Sequence, residues 1–179
     1  ATTIVPIRGE DGKVCQYVAV KEDVTAQRRQ EDQLRKLSLA VDQSPESIVI
    51  TNLDARIEYV NQAFIRNTGY SREEAIGANP RVLQSGHTPL ATYQDMWATL
   101  TRGQAWRGEL YNARKDGSNY VEHATIEPLR QPDRKVTHYL AIKEDVTEQK
   151  RKADELDAYR RSEDHQIMGR TDQLPRVVQ

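Results

Sequence analysis

Side chains that commonly perform chemistry are few in this sequence, and none of them forms a known catalytic pattern. The four histidines, His87, His123, His138 and His165, are scattered, and no two have the spacing of metal ligands on one helix. Neither a Ser/His/Asp nor a Cys/His set has supporting context, and there is no phosphate-binding P-loop. The single cysteine, Cys15, excludes an internal disulfide framework and a cysteine-based zinc cluster. These observations predict that the chain is not an enzyme.

A more specific pattern occupies two consecutive predicted strands. Trp106 and Asn112 share one face of the first strand, and Tyr120 and Glu122 share a face of the next, because side chains alternate along a strand. Such residues could line one slot. Other interpretations remain open: Trp106 could pack between sheet and helix, and Asn112 could cap a turn at the strand end. Glu122 could face solvent or pair with Lys143 on a neighbouring strand.

The sequence repeats itself at an offset of 122 residues. Residues 3–34 align with residues 125–156 at 18 identities in 32 positions. Apolar positions and turn positions match together, so charged composition alone does not explain the similarity. The predicted segments are the closing strands of a first module at 1–25, a connector helix at 26–43, a complete module at 44–147, a second connector helix at 148–168 and a loosely ordered tail at 169–179.

The pattern of the complete module predicts two strands, several short helices, one longer helix and three strands, in this order. Ser71 and Glu74 have the spacing of a capping box, in which each side chain satisfies the other's backbone amide. Thr88 is predicted to cap the longer helix, with Pro89 at its first position and Gly103 at its end. On that helix Met96 and Trp97 are predicted to be core residues. The three closing strands are predicted at 106–113, 119–129 and 136–146.

Composition and charge exclude several classes of protein. Lys and Arg number 26 against 27 for Asp and Glu, so the chain lacks the positive charge of a general nucleic-acid binder. Its apolar runs are a few residues long, far below the ~20 residues that span a bilayer, and no secretory segment opens the sequence. We therefore expect a cytoplasmic piece of a longer protein, with no membrane span and no nucleic-acid partner.

Five short motifs, in this order and spacing, are similar to those of the PAS sensory domain. They are Asn61-Gln62-Ala63-Phe64, Thr68-Gly69-Tyr70, Glu74-Ala75-Ile76-Gly77, Arg114-Lys115-Asp116-Gly117 and Glu144-Asp145-Val146-Thr147. The resemblance covers about 44–147, and residues 1–25 resemble the last two strands of a preceding PAS domain. It implies an α+β fold, in which a five-stranded antiparallel sheet carries short helices on one face and a pocket lies between them.

Within that family, the segment from Asn79 to Gly86 and the residues around Trp106 look closest to one group. This group is the redox-sensing flavoprotein PAS domains of nitrogen-fixation and methane-oxidation regulators, which hold FAD. Light-oxygen-voltage (LOV) domains are also similar, but Pro80 stands where their reactive cysteine would be, which excludes that photochemistry. Glu122 and Lys143 also depart from the LOV pattern.

The resemblance to the FAD-containing group implies a set of cofactor-binding residues. Trp106 would pack along the flavin, while Asn112 and Glu122 would face its polar edge. Arg81 and Gln84 would lie near the ribityl or phosphate end. The full predicted set is Asn79, Arg81, Gln84, Trp106, Asn112 and Glu122.

The resemblance also implies a function. The chain would be a sensory module of a multidomain signal-transduction protein that responds to redox state or oxygen through bound FAD. The helix after Thr147 would relay the response by pairing in a homodimer, which also uses the PAS domain itself. A histidine kinase or cyclic-dinucleotide enzyme, outside this chain, would be the output. A cofactor-free or small-ligand PAS module that dimerises and relays remains the alternative.

Overall fold

The computed structural model describes residues 1–171, with side chains described for residues 1–161. The chain divides into two compact units, Ala1–Asp42 and the part that begins at Gln43. The first unit contains β1 (Thr2–Arg8), β2 (Val14–Lys21) and α1 (Thr25–Asp42). The second contains β3 (Ser47–Asn52), β4 (Ile57–Val60), α2 (Gln62–Thr68), α3 (Arg72–Ala75), a 3-10 helix (Pro80–Leu83), α4 (Leu90–Thr101), β5 (Trp106–Ala113), β6 (Asn119–Arg130), β7 (Val136–Asp145) and α5 (Thr147–Thr171).

The second unit is built on one five-stranded sheet. Its strands lie in the order β4-β3-β7-β6-β5, and each neighbouring pair is antiparallel. The predicted α+β fold with a five-stranded antiparallel sheet is therefore confirmed. Because β7 comes last in the chain but lies in the middle of the sheet, residues on β7 contact both halves of the module.

One face of this sheet forms the core with the helices. Along β5 and β6 buried and more exposed residues alternate, as expected when only one face is covered. The core includes Leu110 and Ala124 from the sheet and Phe64, Met96 and Leu100 from the helices. Among the polar side chains buried on strands of this sheet are Asn112, Glu122 and Lys143.

Local capping explains where the short helices begin. The side chain of Asn61 accepts a hydrogen bond from the amide of Phe64 and another from the amide of Ile48, so it joins α2 to β3. Ser71 and Glu74 form the predicted capping box at α3. These caps fix where α2 and α3 begin.

The longer helix begins differently from the sequence expectation. Pro89 occupies the N-cap position of α4, and Thr88 does not cap it. Instead, the Thr88 hydroxyl accepts a hydrogen bond from the amide of Tyr111 and donates one to its carbonyl. A tertiary partner on β5 therefore takes the hydroxyl that the local pattern assigns to the helix. Met96 is buried as predicted, but Trp97 is 40% exposed and so is not a core residue.

The closing helix is longer than the sequence pattern indicates. Helix α5 includes residues 169–171, which the pattern assigns to a loosely ordered tail. The rest of that predicted tail, 172–179, lies outside the described residues. Among the described residues, no helix combines the length and apolar character needed to cross a membrane.

The first unit repeats the closing hairpin of the second. In β1–β2, Pro6 faces Tyr17 and the register shifts between Ile7 and Arg8. In β6–β7, Pro128 faces Tyr139 and the register shifts between Leu129 and Arg130. Each of these positions differs by 122 residues, so the sequence repeat is also a repeat of strand register.

Candidate functional site

A cavity of about 380 Å³ lies between the inner face of the sheet and the helices. Leu110 and Ile126 line it from the sheet, and Phe64, Met96 and Leu100 line it from the helices. The lining is mostly apolar, and the volume lies within the range that small organic ligands occupy in proteins. The site therefore suits a small, largely apolar molecule.

One end of the cavity is polar. Asn112 on β5 and Lys143 on β7 line it, and both side chains contact Glu122 on β6. The Asn112 amide nitrogen donates to Glu122 Oε1 at 2.7 Å, and Lys143 Nζ lies 2.6 Å from the same oxygen. The interpretation in which Glu122 pairs with Lys143 is therefore confirmed.

Strand register explains how this pair forms. Glu122 lies opposite Asp145, while Lys143 lies opposite Ala124, so the two ionic residues are diagonal neighbours on one face. Diagonal positions are within reach of long side chains. Both side chains are less than a tenth exposed, so each charge depends on the other for compensation.

A buried tyrosine adjoins this polar cluster. Tyr120 is 2% exposed, and its hydroxyl has no hydrogen-bond partner among the described residues. Burial raises the pKa of the Tyr120 phenol well above its usual range, and the negative charge of Glu122 raises it further. The phenol is consequently neutral across the physiological pH range.

A chain of ionic and hydrogen-bonded contacts extends from Tyr120 to the start of α5. The Arg114 guanidinium lies 4.4 Å from the centre of the Tyr120 ring and forms a 2.6 Å salt bridge with Asp145. Asp145 in turn accepts hydrogen bonds from the amide and hydroxyl of Thr147. The Thr147 hydroxyl accepts a hydrogen bond from the amide of Val121 on β6. The first turn of α5 is thereby attached to the strand that carries Glu122.

The charge state of Asp145 reflects these contacts. Burial opposes ionisation of the carboxyl, but hydrogen bonds from Arg114 and Thr147 outweigh it and hold the pKa of Asp145 below its ordinary value. Asp145 is therefore ionised at neutral pH, which keeps the salt bridge and the cap of α5 intact.

The structure brings four of the six predicted cofactor residues to the cavity. Asn79, Arg81, Gln84 and Asn112 all line it. The Asn79 side chain caps the 3-10 helix by accepting from the amide of Arg81 at 3.0 Å. Arg81 and Gln84 are exposed, which places them where the cavity meets solvent.

The other two predicted residues do not line the cavity as the structure describes it. The Trp106 indole nitrogen donates to Asp95 on α4 at 2.9 Å. Its ring covers Gly108, where an added Cβ would lie 2.4 Å from the ring. Trp106 thus packs between sheet and helix, which is one of the interpretations left open by the sequence. Glu122 does not line the cavity, but it contacts Asn112 and Lys143, which do.

Several residues that line the cavity are absent from the predicted set, among them Trp97, Tyr139 and Lys143. The sequence predicts Trp97 as a core residue, and it marks Lys143 as a departure from the LOV pattern or a partner for Glu122. The alternation of side chains on the last strand places Tyr139 and Lys143 on the same face as Ala141, a core residue. That periodicity was the signal that could have identified both.

Comparison with known proteins accounts for this arrangement. A family model described as a PAS domain matches residues 45–148, which is more than half of the chain. The chain belongs to the PAS domain family. The α+β fold, the sheet order and the inner-face cavity described above are those of one PAS domain, and the match ends at the first residues of α5.

The relatives of this PAS domain are signalling proteins. A nitrogen fixation regulatory protein of Klebsiella oxytoca is 43% identical over 107 residues, which cover 60% of this chain and 22% of the relative. The aerotaxis receptor of Escherichia coli is 30% identical over 99 residues, which cover 55% of this chain and 19% of the receptor. The chain thus spans about a fifth of the length of these relatives.

A solved structure supports the same fold. The LOV domain of a blue-light activated histidine kinase from Erythrobacter litoralis superposes with a TM-score of 0.55 at 29% identity, covering 59% of this chain and 99% of that domain. The match confirms the PAS fold. Pro80 lies on the cavity lining of the present domain, and Cys15 lies in the other unit.

Proposed function

We propose that this PAS domain binds a flavin, specifically FAD, in the inner-face cavity and senses redox state or oxygen. The observation that carries the proposal is an apolar cavity that ends in Asn112 and Lys143, two polar side chains held by a buried carboxylate. A flavin ring needs a flat apolar slot with a few placed hydrogen-bonding groups at one edge. The names of two relatives, a nitrogen fixation regulatory protein and an aerotaxis receptor, favour the same class of signal.

The residues present fit an FAD molecule. Leu110, Ile126 and Leu100 supply apolar surface for the ring, and Asn112 with Lys143 supplies polar groups for its pyrimidine edge. Asn79 and Arg81 lie at the exposed end of the cavity, where Arg81 can meet phosphate. FAD would supply a reversible redox change that alters the protons carried by its ring.

The chain's own residues can pass such a change to α5. Glu122 sits next to Val121, whose amide bonds to Thr147 at the start of the helix. A change in the hydrogen bonds of Asn112 or Lys143 would alter the position of Glu122 and hence of β6. Such a relay needs two arrangements that differ by only a few kcal/mol, so that a small local change shifts their populations.

The proposal extends to the longer protein. Exposed apolar residues on the helices, Leu34 and Leu37 on α1 and Leu156 and Tyr159 on α5, support pairing in a homodimer. Residues 1–25 would be the closing strands of a preceding PAS domain. We propose that a histidine kinase or cyclic-dinucleotide enzyme in the same cytoplasmic protein receives the signal.

A specific observation supports a second candidate function. The charges of Glu122 and Lys143 compensate each other, and Asn112 donates to the same carboxylate, so the polar end of the cavity does not require a charged ligand. A cofactor-free or small-ligand relay module is compatible with that arrangement.

The visible absorption spectrum of the purified chain, before and after incubation with FAD, separates the two candidates. A two-band flavin spectrum that bleaches reversibly on reduction supports the redox sensor. Replacing Asn112 with Ala should then weaken FAD binding, whereas replacing Asn119, an exposed residue outside the cavity, should not. A chain that stays colourless with excess FAD contradicts the flavin proposal and favours the second candidate.

A further inference from the structure

The orientation of the Asn112 amide is determined by its neighbour. A side-chain amide has a donating nitrogen at one tip and an accepting oxygen at the other. An ionised carboxylate only accepts hydrogen bonds, so the amide nitrogen must be the atom that faces Glu122. Since Glu122 lies behind the cavity wall and Asn112 lines it, the amide oxygen is the atom left for a ligand.

Lys143 keeps Glu122 in the accepting state. Its ammonium lies 2.6 Å from the same carboxylate oxygen that accepts from Asn112, and both partners are buried. The same carboxylate oxygen therefore accepts from two donors, the ammonium and the Asn112 amide nitrogen. Lys143 also lines the cavity, and an ammonium carries three hydrogens, so those not used by Glu122 are available to donate to a ligand.

We infer that Glu122 is a positioning residue that holds Asn112 with its amide oxygen toward the cavity, beside the donating ammonium of Lys143. An acceptor next to a donor is complementary to a ligand edge in which an N–H lies beside a carbonyl, as in a cyclic imide. The inference deepens the proposed function, on which its ligand part rests, because the pyrimidine edge of a flavin is such an imide. An amide side chain at position 122 would both donate and accept, so it would leave Asn112 free to turn.

Flavin analogues test the ligand part. Riboflavin and 3-methylriboflavin differ only in whether the imide nitrogen carries hydrogen, and their dissociation constants for the whole chain can be measured by fluorescence titration. We expect the methylated compound to bind roughly tenfold to a hundredfold more weakly, because it leaves a buried acceptor unpaired. In Glu122→Gln the ratio should fall to about threefold or less, since either amide orientation becomes available.

Two further variants test whether a lost discrimination ratio results only from destabilisation of the fold. The double variant Glu122→Gln with Lys143→Met removes both charges, and it should also lose the discrimination. Glu109→Gln removes a carboxylate from a half-exposed pair with Lys150 outside the cavity, and it should keep the wild-type ratio. Equal discrimination in wild type and Glu122→Gln overturns the inference.

A ligand-free measurement separates this inference from the flavin proposal. The side-chain amide resonances of Asn112 in a ¹⁵N-edited NMR spectrum should show slow hydrogen exchange in wild type and a clear shift in Glu122→Gln. Resonances that stay unchanged in the variant overturn the positioning role. If the chain binds neither flavin, the flavin proposal fails. The positioning role of Glu122 is then tested by these resonances alone.

Discussion

Removal of the ammonium from the buried Glu122–Lys143 pair should strongly destabilise the PAS domain. Lys143→Met keeps an unbranched side chain of similar bulk but leaves the carboxylate of Glu122, 3% exposed, without its ionic partner. Breaking a buried ion pair on one side typically costs 3–5 kcal/mol, because the remaining charge is desolvated and uncompensated. We expect the free energy of unfolding to fall by about 4 kcal/mol.

Urea unfolding followed by tryptophan fluorescence measures this loss. Both tryptophans, Trp97 and Trp106, lie in the PAS domain, so the signal reports that unit and not the N-terminal hairpin. With a slope of about 1–3 kcal/mol per molar urea, the midpoint should fall by roughly 1.3–4 M. The double variant with Glu122→Gln should recover most of the loss, because no buried charge then remains unpaired.

A matched surface pair provides the control. Lys150 and Glu109 have the same chemistry at 2.5 Å, but their side chains are 38% and 41% exposed. Lys150→Met should therefore cost less than about 1 kcal/mol. Equal losses for Lys143→Met and Lys150→Met would refute the argument that burial makes the Glu122 pair critical.

Three other changes test the contacts around β5 and α5. Thr147→Val should lower the free energy of unfolding by about 1 kcal/mol, because it removes the hydroxyl hydrogen bonds to β6 and Asp145. Urea unfolding measures this loss, and an unchanged midpoint would contradict the prediction. The folded-state pKa of Asp145 lies below its unfolded value of about 3.9. The ionised carboxylate therefore stabilises the fold fully above about pH 3.9, and this contribution is lost as the pH falls through the folded pKa. Arg114→Met should therefore flatten the fall of the urea midpoint below about pH 4, and a fall as steep as wild type would count against the salt bridge. Gly108→Ala should cost about 1–3 kcal/mol and shift tryptophan emission, since its Cβ would lie 2.4 Å from the Trp106 ring; wild-type emission and stability would show that the ring moves freely.

Local sequence patterns predicted the elements of this fold well. The strand at Trp106–Ala113 has the predicted bounds, because alternation of side chains and the turn residues after it are both local signals. The capping box at Ser71 likewise depends only on residues three positions apart. Motif order then identified the family, since it combines several weak local signals into one arrangement.

The parts that failed depend on residues far apart in the chain. Thr88 has the local features of a helix cap, but its hydroxyl bonds to the main chain of Tyr111, 23 residues later. The indole of Trp106 is likewise directed by Asp95 on another element. The partner of Glu122 follows from the register between β6 and β7, whereas the sequence alone left pairing with Lys143 as one of three interpretations. Local periodicity gives the face of a strand but not the identity of the neighbour across it.

The duplicated hairpin has an evolutionary consequence. Because β1–β2 and β6–β7 have the same register and the same irregularity, either hairpin could replace the other in a recombination event without shifting the strand pairing. Lys21 stands at the position of Lys143 and Tyr17 at that of Tyr139, so a chimera would retain the counter-ion of Glu122 and one aromatic wall of the cavity. A recombination of this kind would conserve the strand pairing of the closing hairpin while the remaining strands and helices diverge.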